Sequence, residues 1–157
     1  MSFDPAAFMS QTVEGPMATS LPPVPEGEYL ARIGDGQDDV KVESIQGKKD
    51  PTRTYIRLTL MWDVIDENLK AALGRDKIRV RDQFLIDVDQ TTGLLKSGPE
   101  DNVSLGQRRE ALGMNDGAFS IARFRGAGPA IIRVSQRSDA NDPSRKYSEV
   151  ARVVKVG

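Results

Sequence analysis

Residues 53–89 read RTYIRLTLMWDVIDENLKAALGRDKIRVRDQFLIDVD. Two long runs of strand character flank a short helix-like insert. Side chains alternate across a strand, so in the first run Ile56, Leu58, Leu60, Trp62 and Val64 share one face. The other face carries Tyr55, Arg57, Thr59 and Met61. In the second run Ile78, Val80, Phe84, Ile86 and Val88 share a face interrupted by Asp82, opposite Lys77, Arg79, Arg81, Gln83 and Leu85. Pairing the two apolar faces into a core puts Trp62 and Phe84 inside. It leaves an outer field of arginine, lysine and tyrosine, which suits a polyanion with stackable bases, namely single-stranded nucleic acid.

Between the runs, DENLKAALG has the marks of a helix. Asp66 or Asn68 can cap it, Leu69 and Leu73 sit four apart, and Gly74 ends it. Upstream, EYLARI from Glu28 alternates, with Tyr29 at the core or its rim, and VKVESI resumes the pattern at Val40. The intervening GDGQDD reads as a bulge or bend, giving one long bent strand or two short ones. Without a strand–helix context it is not a phosphate loop. Downstream, Thr92-Gly93 marks a small hairpin, SLGQRREAL reads as a helix ending at Gly113, and FSIARF as a short turn with Ile121 and Phe124 inward. Two alternating runs close the chain, PAIIRVSQR from Pro129 and KYSEVARVVKVG from Lys146. In the last run, Val150, Arg152, Val154 and Val156 are expected on one face.

The order is therefore strand, strand, strand, helix, strand, strand, with a helical insert between strands two and three. A helix between strands three and four is the organisation of the OB-fold, a five-stranded barrel that holds oligonucleotides on strands two and three and in the loops after strands one and four. Those loops carry Lys48, Lys49 and Arg53 in one case and Arg137, Arg145 and Lys146 in the other, followed by Tyr147. The expectation is a mainly β, OB-like domain over residues 28–157, preceded by an extended arm over residues 1–27. In the arm, Asp4 and Pro5 open a short helix, and EGPMATSLPPVPEG is extended.

Composition narrows the function. The 157 residues include no cysteine and no histidine. Disulfides, thiolate metal sites and the commonest general base are excluded, and no cofactor is expected. The formal net charge is −1, from 22 Lys+Arg against 23 Asp+Glu, so any binding of nucleic acid rests on local rather than global charge. No apolar run approaches the roughly 18 residues of a membrane span, and the N-terminus lacks the pattern of a secretory signal. A cytoplasmic protein without a membrane partner is expected.

The segments MSFDPAAFMSQTV, VPEGEYLARI, LTLMWDVID, AALGRDKIRVRDQFLIDV, LGQRREALGMN and YSEVARVVKV together resemble a group of tailed-phage early proteins regarded as single-stranded-DNA-binding proteins with an OB-like fold. The resemblance implies a setting of phage DNA replication or recombination in the host cytoplasm, with replication or recombination proteins as further partners. It supplies no set of contact residues. Many single-strand binders end in an acidic tail that recruits partners, whereas this chain ends in RVVKVG.

The candidate DNA-binding residues are thus Tyr55, Arg57, Lys77, Arg79 and Arg81 on the sheet face, and Lys48, Lys49, Arg53, Arg137, Arg145, Lys146 and Tyr147 in or beside the loops. Tyrosine stacks on bases, and the cations meet phosphates. The ordinary reading of the same residues is a solvated sheet face and soluble loops, with Asp50, Asp139 and Asp142 offsetting part of the charge. The expected function is non-enzymatic binding and protection of single-stranded DNA. The alternative is a structural or adaptor subunit, in a virion or replisome, that forms homo-oligomers through the arm. A magnesium nuclease built on Asp63, Asp87 and Asp89 is the weakest reading, since these fit strand-end polar residues better.

Overall fold

The computed structural model describes residues 2–19 and 21–157; Met1 and Ser20, both within the predicted arm, lie outside the described residues. The protein is mainly β. A helix α1 (Pro5–Met9) precedes β1 (Gly27–Ile33), β2 (Val40–Gln46) and β3 (Thr54–Val64). Then come α2 (Glu67–Leu73), β4 (Arg79–Ile86), α3 (Val103–Ala111), a 3-10 turn (Ile121–Phe124), β5 (Ala130–Ser138) and β6 (Lys146–Val154).

The six strands form one sheet in the order β1-β5-β6-β4-β3-β2, and β1 also pairs with β3. The pairings therefore run in a ring: β1 to β3, β3 to β4, β4 to β6, β6 to β5, and β5 back to β1. All are antiparallel except β4 with β6. The predicted first strand is two strands. β1 lies against the end of β3 (Ile33 opposite Trp62), and β2 against its start (Val40 opposite Leu60 through Gln46 opposite Thr54).

The bend between them, Gly34 to Asp39, has a local cause. A side chain on Gly34 would occupy the space filled by the Asp39 carboxylate and the Arg79 guanidinium. The missing Cβ is what lets that ion pair sit under the bend.

The two runs of residues 53–89 pair as expected, from Ile56 opposite Ile86 to Asp63 opposite Arg79. Their inner faces build the core with β1 and β5: Leu58, Leu60, Trp62, Val80, Ile33 and Ile132 are all essentially inaccessible. Burying each such apolar side chain stabilises the fold by about 1.5–3 kcal/mol. Helix α2 is bounded as its sequence requires. Asp66 accepts hydrogen bonds from the N–H groups of Asn68 and Leu69, and Gly74 ends the helix at φ 63°. Helix α3 contributes Leu105 and Ala111 to the core, and Phe124 of the 3-10 turn is fully buried.

Two expectations are corrected. The first concerns the last strand. Opposite β5 the register shifts between Arg133 and Val134, which pair with Arg152 and Val150, leaving Ala151 as an extra residue. This bulge resets the alternation, so Val150 and Val153 both point inward. The second concerns the root of the arm. Val24 is 3% exposed and belongs to the core. Its N–H donates to Ser148 Oγ, and its carbonyl accepts from Gln136 Nε2 at 3.0 Å.

Candidate nucleic-acid interface

The outer face across β3 and β4 follows from the pairing register. Tyr55, Arg57, Thr59, Met61 and Asp63 of β3 lie beside Leu85, Gln83, Arg81 and Arg79 of β4, and beside Lys41, Glu43 and Ile45 of β2. β6 continues the face on the far side of β4, where Arg81 stands level with Glu149. The face is bordered by the turn Gly47–Arg53 at the start of β3 and by the loop between β5 and β6 near the start of β4.

The cations on this face are not equivalent. Arg57 Nη2 meets Glu43 Oε1 at 3.2 Å. Arg79 is held by two carboxylates, Asp39 and Asp63, with the Asp63 contact at 2.7 Å. Arg137, in the predicted loop set, pairs with Glu149 at 3.3 Å and lies within β5. The uniformly basic face expected from alternation is therefore a mixed one, because Glu43, Asp63 and Glu149 share it. Arg81, Lys77, Lys48, Lys49, Arg53, Arg145 and Lys146 have no ion-pair partner among the described residues.

Both tyrosines are half-buried at the two borders. At one, the Arg53 guanidinium lies 5.2 Å from the centre of the Tyr55 ring. Gly47 makes room for that ring, since a Cβ there would stand 2.9 Å from Tyr55 Cε2. At the other border Arg81 lies 5.9 Å from the centre of the Tyr147 ring. Met61, which sits opposite Arg81, is six positions along β3 from Tyr55, so the two stacked pairs are about 20 Å apart along the strand direction. Beside Tyr55 a small cleft of about 100 Å³ is lined by Arg53, Leu85, Gln90 and Lys96. Lys96 is a border cation that sequence reasoning missed; the small hairpin, bridged from Val88 to Leu95, brings it there.

The acidic residues in the loops are used internally. In the turn after β2, the Thr52 hydroxyl and N–H donate to Asp50 and hold its carboxyl below the ordinary range. In the loop after β5, the Ser144 hydroxyl and N–H do the same for Asp142. These side chains shape the turns that carry the lysines and arginines.

The three carboxylates of the nuclease reading do not converge. Asp63 binds Arg79, Asp87 accepts from the N–H of Asn102 at 2.8 Å, and Asp89 accepts from the N–H groups of Thr91 and Thr92. Among the described residues no group of three or more carboxylates is placed to hold a metal ion.

Beneath the face lies a buried polar cluster. Asp82, 1% exposed, accepts from Arg108 Nε at 3.0 Å and Nη2 at 2.8 Å and from Trp62 Nε1 at 3.1 Å. The signal in the sequence was the single acid in the apolar phase of β4. Its partner, on a distant helix, is not marked by spacing.

Compared with known proteins, the chain matches no family model, no curated protein and no solved structure. No helix among the described residues is long and apolar enough to cross a membrane.

Proposed function

We propose that this chain is a non-enzymatic, sequence-tolerant binder of single-stranded DNA with an OB-like fold, acting in phage DNA replication or recombination. The observation that carries the reading is the pair of arginine-backed tyrosines, Tyr55 with Arg53 and Tyr147 with Arg81, at opposite borders of one sheet face. A strand laid across this face would stack bases on both rings, while Arg81, Lys77 and the loop cations track its phosphates. The ring of pairings supports the OB reading, with β1 and β2 as its bent first strand and β4 parallel to β6. The span of about 20 Å suits a site of about four nucleotides or more.

The test is a titration of labelled oligo-dT followed by fluorescence anisotropy, compared with duplex DNA and RNA of equal length. Preferential binding of the single strand that weakens with salt supports the proposal; no binding of any oligonucleotide rejects it. The second reading, an assembly or adaptor subunit, is favoured by the exposed arm. A large species that forms without DNA and ignores oligonucleotides would select it.

A further inference from the structure

The arm is the least satisfied part of the molecule. Phe3, Phe8, Met9, Val13, Met17 and Leu21 are all 60% or more exposed. Phe3 and Phe8 nevertheless meet each other, with ring centres 5.5 Å apart, across the helix that Asp4 caps. The result is a preformed apolar knob that packs against nothing on its own domain, since every described residue from Ser2 to Pro22 is exposed. The root, by contrast, is fixed. Besides the bonds to Val24, Arg75 Nη2 donates to the Pro22 carbonyl at 3.1 Å, and Pro22, Pro23 and Pro25 hold the exit extended. Charge gives the knob a preference: residues 2–21 carry Asp4 and Glu14 and no lysine or arginine.

The domain has a matching socket. Between α3 and the end of β6 lies an open groove of about 390 Å³, lined by Gly106, Ala111, Val153 and Val154 and edged by Arg152 and Lys155. Glu110 is the one acidic residue on its rim. Gly106 has open space where a side chain would be, so the helix surface is hollow at that point. The groove lies at the far end of β6 from Ser148, where the arm is anchored, and neither Tyr55 nor Tyr147 lines it.

We propose that the arm of one copy docks its Phe3–Phe8 knob into the α3–β6 groove of a second copy. The contact joins an apolar, acidic segment to an apolar, basic-edged groove, and it is heterologous, arm to groove. It leaves Tyr55, Tyr147 and the free cations uncovered and does not depend on DNA binding.

Sedimentation equilibrium of the full chain without nucleic acid tests it. The expected result is concentration-dependent association that weakens with salt. Phe3→Ala with Phe8→Ala should raise the dissociation constant about tenfold or more. Gly106→Leu, which fills the groove from a half-buried helix position with open space at its Cβ, should do the same while the thermal melt stays as cooperative as before. A photoreactive benzophenone at position 8 should cross-link to α3 or β6 of another chain. A monomer at every concentration, association indifferent to both sets of substitutions, or cross-links confined to the chain's own sheet face would overturn the proposal.

Discussion

Tyr55 and Tyr147 have equivalent surroundings, each half-buried with a guanidinium over its ring, and the proposed function gives them equivalent work. Replacing either by alanine should cost about 1–3 kcal/mol of single-strand affinity, and the loss should persist at all salt concentrations because stacking releases no counterions. Anisotropy titrations at low and high salt check this; a loss that vanishes at high salt would make the tyrosines incidental. The arginines divide differently. Arg81 has no carboxylate partner among the described residues, so Arg81→Ala should lower the slope of log K against log salt by about 0.7, one phosphate's worth. Arg79 is committed to Asp39 and Asp63. Arg79→Ala should leave the slope nearly unchanged and lower the melting temperature. Equal slope changes for the two arginines would show that both meet phosphate.

At the scale of elements, β4 is tied to its neighbours by two ionic clusters, one on each face. On the inner face, Asp82 joins Arg108 of α3 and Trp62 of β3. Removing one member leaves the other charge buried and unpaired, at a cost of about 3–5 kcal/mol. Asp82→Ala and Arg108→Ala should each destabilise by that amount in urea unfolding followed by Trp62 emission. Replacing both by leucine and methionine should recover most of it. Full additivity of the two single losses would mean the pair does not act as a unit.

On the outer face, burial alone would raise the Asp39 carboxyl. The hydrogen bonds from Arg79 and the Gly36 N–H, with the attraction of Arg79 and Lys77, outweigh burial and hold it below the ordinary 3.8. A carboxylate depressed in the folded state stabilises the fold above its unfolded-state value, and that contribution is lost as pH falls through the folded-state value. The stability gap between wild type and Asp39→Asn should therefore be full at neutral pH and close below about pH 4. A gap that does not change with pH would remove Asp39 from the acid response.

These elements also mark what the sequence could disclose. Alternation in residues 53–89 placed Trp62 and Leu58 inside and Tyr55 and Arg81 outside, because strand geometry is local. Capping chemistry bounded α2 at Asp66 or Asn68 and at Gly74 for the same reason, and the structure takes Asp66 as the cap. The bulge at Ala151 was invisible, since it depends on the register against β5 rather than on residue type. The carboxylates that neutralise Arg57, Arg79 and Arg137 were likewise hidden. They come from other strands and from a bend, and only pairing brings them alongside.

For the whole molecule, a net charge of −1 allows nucleic-acid binding only where cations are left unmatched. Seven of the candidate cations meet that condition among the described residues, concentrated at the two borders of one face rather than along its middle. A ligand would thus be gripped at the two tyrosines and pass more loosely over Thr59 and Gln83, which hydrogen-bond each other at 3.0 Å. Charge reversal at one border, Lys48→Glu with Lys49→Glu, should weaken binding of long oligonucleotides more than short ones that reach only Tyr147. Equal losses at all lengths would argue against two separated grips.

The most direct test of the account is the affinity for fluorescent oligo-dT measured across a salt series with the intact wild-type chain. The account predicts tight binding at low salt, a linear fall of log K with log salt corresponding to several phosphates, and a clear preference over duplex DNA. Absence of binding at low salt, or an affinity indifferent to salt, would contradict it.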